Sequence, residues 1–267
     1  MDKIKPLMKK IMFSLILLFP VFFLLAQRDH GRSLVGVTAG GSFATNLYDY
    51  GEYGGEPPMG FHLLPAGGLT FDFESKRSFS FYMALNFKGK GDKIGMADYV
   101  SGWTFPQEEG NTITAEADGS ISTSHYWVEF PLAFTFNFGQ TSRVQIGAGA
   151  FGAYGLFGKE KRDFAITYYL NDEFLIDETV KEDMDLDMVS FVVENEEEGH
   201  RYINRVDYGL FFLLGFKMHP LAITASASWG FANQLPLLGS DLFTAQKSVK
   251  EIHSLTPALT VTYFFTK

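Results

Sequence analysis

The chain has 267 residues, 46% of them hydrophobic and 16% aromatic, with 28 Phe, 27 Gly, no Cys and a formal net charge of −9. So apolar a composition excludes a disordered chain, the missing cysteines exclude disulfide scaffolds, zinc–thiolate sites, thiol catalysis and lipoprotein attachment, and the acidic balance argues against a nucleic-acid partner.

Residues 1–10 carry Lys3, Lys5, Lys9 and Lys10, residues 11–25 are almost wholly apolar, and Ala26 is followed by the polar run Gln27-Arg28-Asp29-His30. A basic start, a short apolar centre and a small residue at the cut describe a secretory signal peptide cleaved after Ala26. A transmembrane helix would need about 20 apolar residues, and this run is shorter and interrupted by Pro20. The mature chain, 27–267, then forms a single domain with 18 basic and 30 acidic residues, a net charge of −12.

After residue 27 the prevailing pattern has period two, the signature of strands. Strands are expected over 33–45, 60–73, 78–88, 125–139, 143–157, 206–218, 220–232 and 255–265. In the fourth, Tyr126, Val128, Phe130, Leu132, Phe134, Phe136 and Phe138 alternate with His125, Trp127, Glu129, Pro131, Ala133, Thr135 and Asn137. In the sixth, Tyr208, Leu210, Phe212, Leu214 and Phe216 alternate with Asp207, Gly209, Phe211, Leu213, Gly215 and Lys217. Strands of about 10–14 residues match the tilted length that crosses a bilayer, and a continuous bulky apolar face opposite a small or polar one suits a narrow barrel turned outward into lipid.

The connections alternate strictly: long (46–59), short (74–77), long (89–122), short (139–142), long (158–204), short (around His219-Pro220) and long (233–250). Outer-membrane barrels have short periplasmic turns, longer external loops and an even strand number. The expected fold is therefore all-β, an eight-stranded antiparallel up-and-down transmembrane barrel in the outer membrane of a Gram-negative bacterium. Aromatics stand where headgroup girdles need them: Tyr126, Tyr154, Tyr208 and Trp229 toward the external ends, Tyr263, Phe265, Phe138 and Phe79 toward the periplasmic ends.

The chain resembles the PorT-like outer-membrane β-barrel domain proteins of Bacteroidetes. The likeness rests on the leader ending Ala26-Gln27, the first strand Gly36–Thr45, His125-Tyr-Trp-Val-Glu-Phe-Pro-Leu132, the glycine-rich Ile146–Tyr154, Val206-Asp-Tyr-Gly-Leu210 and the terminal Tyr263-Phe-Phe265. Thr266 and Lys267 after the last aromatic depart from that pattern. The resemblance implies architecture and location, with no assigned activity.

Four charges, Lys88, Glu129, Asp207 and Lys217, fall on the face opposite the lipid and form an expected structural lumen cluster, because charges in a narrow barrel must be paired or solvated. About eight strands leave room for little more than side chains, which disfavours a conducting pore. The link 158–204 holds twelve acidic residues between Asp172 and Glu198 against one base, Lys181. Its apolar residues also alternate, so strands are expected to rise above the membrane there, with a turn at Asn171-Asp172. Asp183, Asp185 and Asp187 are weak metal candidates, since hard cations prefer clustered carboxylates, but the Gly and closing Glu of a calcium loop are missing. The four long links together carry 24 acidic and 9 basic residues, an acidic crown on a near-neutral barrel.

No cofactor is expected. Outer-membrane lipids, the barrel-insertion machinery during biogenesis and other envelope proteins are the expected partners. The functional expectation is non-catalytic: membrane integrity, adhesion, or a partner subunit of a surface or secretion assembly. Two alternatives stand beside it. One is an outer-membrane enzyme acting on lipid or peptide at the external rim, for which His62, His125, His200 and His253 with Ser122, Ser124 and Asp207 are the available groups, although no nucleophile motif joins them. The other is a periplasmic lipocalin-like barrel with an inward apolar pocket.

Overall fold

A computed structural model describes residues 32–50, 60–74, 78–97, 104–106, 112–139, 143–171, 173–189, 192–193, 200–234, 237–238 and 249–265. The leader 1–26 and most of the links 46–59 and 233–250 lie outside the described residues. Eight long strands close into a ring: β1 (Arg32–Tyr50), β2 (His62–Glu74), β3 (Phe79–Gly95), β5 (Thr112–Phe138), β6 (Arg143–Leu170), β10 (Val206–Met218), β11 (Leu221–Gly230) and β13 (Val249–Phe264). Each pairs antiparallel with its neighbours in that order, and β13 returns to β1, with Gly36 opposite Phe264 and Ser42 opposite Ala258. Short additional strands are β4 (Thr104–Pro106), β8 (Val192–Val193), β9 (His200–Asn204) and β12 (Leu237–Leu238), and β7 (Glu173–Val189) extends the sheet beside β6. Closure removes the sheet edges that would otherwise expose unpaired backbone groups to lipid.

Period two decides which way each residue points. On β5 from Thr123 onward the buried positions are Thr123, His125, Trp127, Glu129, Pro131, Ala133, Thr135 and Asn137, while Phe130, Phe134, Phe136 and Phe138 are exposed on the outside. On β10 Asp207, Gly209, Phe211, Leu213, Gly215 and Lys217 are buried and the intervening Tyr208, Leu210, Phe212, Leu214 and Phe216 are exposed. A body whose bulky apolar side chains face outward all round is stable only in an apolar medium.

The interior face is not uniformly small. Tyr82, Trp127, Phe151, Phe211 and Leu213 pack together inside the ring with Ala84, Ala133 and Ala153, and Tyr82 stacks on Phe211 with centroids 5.9 Å apart and planes 9° from parallel. Glycines let neighbouring strands come close around this layer. A Cβ on Gly149 would collide with the Leu132 carbonyl and the Ala133 backbone, and one on Gly147 would strike the Thr135 side chain. Here glycine provides close strand approach in a crowded barrel.

All eight expected strands are present, but the expected long link 89–122 differs from the structure. Residues 89–122 consist largely of strand: β3 runs on to Gly95, and β5 begins at Thr112 and spans 27 residues. Residues 158–170 continue β6, which is 28 residues long, and Asn171, with φ 52°, forms the turn into β7 as the alternation there suggested. Over 113–121 the period-two signal is faint because Ile113, Ala115, Ala117 and Ile121 alternate with Thr114, Glu116, Asp118 and Ser120. That face needs only to cover a small apolar cluster, in which Met96 and Ala115 pack with Ala117, Ile121, Phe164, Ile166 and Tyr168. A sheet standing in water requires far less hydrophobic amplitude than one standing in lipid.

Candidate functional site: the filled interior and the projecting sheet

Two charge clusters occupy the interior. Toward the end with the extended strands, the Lys88 ammonium donates to Glu129 Oε1 at 3.2 Å and to Ser228 Oγ at 2.9 Å, and Ser228 donates to the same Glu129 oxygen at 2.8 Å. Lys90 donates to Asp207 Oδ2 at 2.6 Å, lies 3.7 Å from Glu129 Oε2, and has its Nζ 5.0 Å from the Trp127 ring centroid and 4.7 Å from that of Phe151. Ser254 donates to Asp207 Oδ2 at 2.6 Å and the Tyr208 amide donates to Oδ1 at 2.9 Å. All four charged side chains are buried, and two cations face two carboxylates. Burial on this scale is tolerable only with such pairing.

At the opposite end Lys217 donates to Asp72 Oδ2 and to Glu74 Oε1, the latter at 3.2 Å. Arg143 donates to Glu74 Oε2 at 3.1 Å, and Gln145 donates to Asp72 at 3.1 Å and to Thr135 at 2.9 Å. Again two cations meet two carboxylates. The Tyr82–Phe211 stack lies on β3 and β10 between the two clusters, since Phe211 falls between Asp207 and Lys217 along β10.

The sequence expectation named Lys88, Glu129, Asp207 and Lys217 as a lumen cluster. The structure brings the first three together and places Lys217 in the second cluster. Lys90, Asp72, Glu74 and Arg143 were missed. Lys90 falls in the expected link 89–122, yet it stands two residues beyond Lys88 and shares its parity; Asp72 and Glu74 share the parity of the inward Thr70.

The girdle candidates point outward. Tyr154, Tyr208 and Trp229 are exposed, and Tyr126 lies between Phe87 and Phe157 with centroids 5.4 and 5.0 Å away. Tyr263 and Phe265 sit side by side, 6.0 Å apart, at the other rim. Beyond the Tyr126 level, β5 and β6 continue for more than a dozen residues, about 45 Å along the strand at roughly 3.3 Å per residue, and β7 pairs with β6 from Leu170↔Glu173 down to Gly158↔Leu186. Asp183, Asp185 and Asp187 lie in a row on one face of β7, with Asp183 opposite Lys161 and Asp185 4.0 Å from Lys159. Among the described residues no group of three or more His, Asp or Glu side chains converges as a metal site would. On the same sheet Glu116 accepts from the Tyr169 hydroxyl at 3.3 Å, and its charge pushes that phenol above its ordinary pKa.

The histidines do not meet as a catalytic set among the described residues. His62 Nδ1 lies 3.2 Å from the Thr123 carbonyl and 3.4 Å from Ser124 Oγ, His253 Nε2 lies 3.0 Å from Glu251, and the buried His125 accepts the Trp127 indole N–H at 2.6 Å. No Ser–His–carboxylate relay runs through these bonds, and the His200 side chain lies outside the described residues. Asp207 is committed to Lys90 and Ser254.

A closed eight-stranded ring with a lipid-facing apolar band, aromatic rims and an ion-paired interior is an outer-membrane β-barrel protein. Comparison by sequence agrees: residues 25–235 match the model of the outer membrane protein beta-barrel domain, and the chain belongs to that family. It is located in the outer membrane of a Gram-negative bacterium, which overturns the periplasmic lipocalin-like alternative; the outward apolar band explains why. Among curated proteins none matches the sequence. Among solved structures the chain is similar to Ail, the attachment invasion locus protein of Yersinia pestis, at 10% identity over 88% of this chain and 99% of that one, with a TM-score of 0.35 in its complex with the heparin analogue sucrose octasulfate and 0.34 without it. It is also similar to Neisserial surface protein A, at 10% identity over 86% of this chain and 97% of that one, with a TM-score of 0.36.

Proposed function

We propose that this protein is a non-catalytic, PorT-like outer-membrane barrel of the Bacteroidetes type, exported by a signal peptide cleaved after Ala26, that holds an external surface for adhesion or for assembly with other envelope proteins. The observation that carries this reading is the contrast between the two halves of the molecule. The interior is filled by two neutral ion-pair clusters and an aromatic layer, whereas β5, β6 and β7 extend as a sheet well beyond the aromatic rim. A plugged barrel is a rigid support, and binding surfaces are placed on segments that such supports position. Among the described residues the histidines and serines of the external end form no relay for acyl or peptide transfer.

Crosslinking of intact cells followed by purification of the protein from the outer membrane tests the reading. A discrete crosslinked polypeptide that disappears when the β6–β7 hairpin is shortened is the expected result. Recovery of the protein with no crosslinked polypeptide, together with an altered outer-membrane lipid or peptide profile in cells lacking it, would sink the proposal.

A further inference from the structure

We infer that the open edge of β7 is a strand-addition site for a basic, extended polypeptide segment. The inference rests on the binding reading above and names the partner chemistry. Among the described residues, β7 has a second neighbour only at its lower end, where Asp185–Val189 pairs in parallel with His200–Asn204 of β9. From Glu173 to Met184 the strand pairs, among the described residues, on the β6 side alone. Alternate backbone N–H and C=O groups along about 40 Å of strand, at roughly 3.4 Å per residue, therefore face away from the sheet.

Sheet edges left open in this way are ordinarily guarded by Pro, by inward bulges or by being short. β7 is 17 residues long and contains neither Pro nor Gly. Its one irregularity, opposite Tyr168/Tyr169, sets Leu175 out of register near the tip. The guard it does have is charge. Glu173–Asp185 carries Glu173, Asp177, Glu178, Glu182, Asp183 and Asp185 against Lys181 alone. Pairing with the same edge of a second copy would set this net negative segment against itself, and like charges across a ladder destabilise it. A lysine- or arginine-bearing strand meets the opposite situation: cations on the face of Asp177, Asp183 and Asp185 find carboxylates on the neighbouring strand, with Lys181 the one like charge among them, and backbone bonds supply the sequence-independent part of the affinity.

The apolar component is in place as well. Ile176, Val180 and Met184 share one face of β7 with Glu178 and Glu182, and Phe174, Leu175 and Ile176 at the tip are each about half exposed or more. The segment that fits is one in which apolar residues alternate with basic ones, the apolar set continuing the face formed by Ile176, Val180 and Met184.

The test uses the full mature barrel refolded in phospholipid vesicles, a twelve-residue peptide of alternating lysine and valine, and a second peptide in which proline replaces valine. The two peptides have the same charge, but only the first can form a ladder. Amide hydrogen exchange over residues 173–184 should slow at least tenfold with the lysine–valine peptide and not with the lysine–proline one. The double variant Asp177→Lys/Asp183→Lys should weaken binding at least tenfold while the barrel remains folded by heat-modifiable gel migration. Equal binding of both peptides without protection of β7 would reduce the effect to charge condensation and overturn the inference, as would failure of the lysine–valine peptide to bind. Either failure, with a cell-surface crosslink still obtained, would leave the general binding function standing and refute only this edge.

Discussion

Replacing Lys90 with Met removes one positive charge from the interior and leaves Lys88 alone with two buried carboxylates. At an effective dielectric of about 20, a unit pair at the 2.6 Å separation of Lys90 and Asp207 gains about 6 kcal/mol, and one at the 3.7 Å separation from Glu129 about 4 kcal/mol. Repulsion from Lys88 and the desolvation of the lysine, several kcal/mol per buried ion, offset much of that gain. What survives in the variant is an uncompensated buried carboxylate, for which about 3–5 kcal/mol of destabilisation is the usual cost. Loss of the two ring contacts adds about 1 kcal/mol or more. The double variant Lys90→Met/Asp207→Asn restores neutrality and should recover about half of the loss or more. Urea unfolding in vesicles, followed by gel mobility and tryptophan fluorescence, measures both. A single variant within about 0.5 kcal/mol of the parent, or a double variant no better than the single, would refute the view that this cluster is held by charge balance.

Other expectations follow from the same geometry. A Cβ on Gly230 would collide with the Asp207 carboxylate and the Ser254 hydroxyl, so Gly230→Ala should split the hydrogen bond between them and cost about 1–3 kcal/mol in the same unfolding assay. With both clusters intact the protein should give no steady conductance in planar bilayers; reproducible single-channel steps would contradict a filled interior. Trp229 faces lipid and Trp127 is fully buried inside, so acyl-chain bromination should quench a variant keeping only Trp229 strongly and one keeping only Trp127 weakly. Because the chain has no cysteine, Thr179→Cys can be labelled alone, and a membrane-impermeant maleimide should reach it on intact cells; labelling only after lysis would reverse the orientation.

The architecture was legible because lipid imposes a coarse, strong rule. Every residue of a spanning strand faces either hydrocarbon or lumen, so Phe130, Phe134 and Phe138 against Glu129, Ala133 and Asn137 reveal both strand and orientation. Link lengths then set topology. The same rule weakens outside the membrane, which is why the upper halves of β3 and β5 fall in an expected loop: Ala115 and Ala117 are apolar enough to pack on Phe164 and Ile166 yet too small to stand out from Thr114 and Glu116.

Sequence parity determined on its own that Lys88, Glu129, Asp207 and Lys217 turn inward. Only the tertiary structure decided their partners, because strand register and tilt, invisible along a single strand, set Lys90 of β3 beside Asp207 of β10, 117 residues away, and gave Lys217 to Asp72 and Glu74. Ring closure likewise decided which strand was left with an open side. The chain's charge count already showed an acidic region between Asp172 and Glu198, but the place of its part Glu173–Asp185 on a backbone edge follows from β7 pairing with β6 and, above Asp185, with no second strand among the described residues. Side-chain alternation is a local property of the backbone, whereas neighbours across a barrel are fixed by the closure of the whole ring.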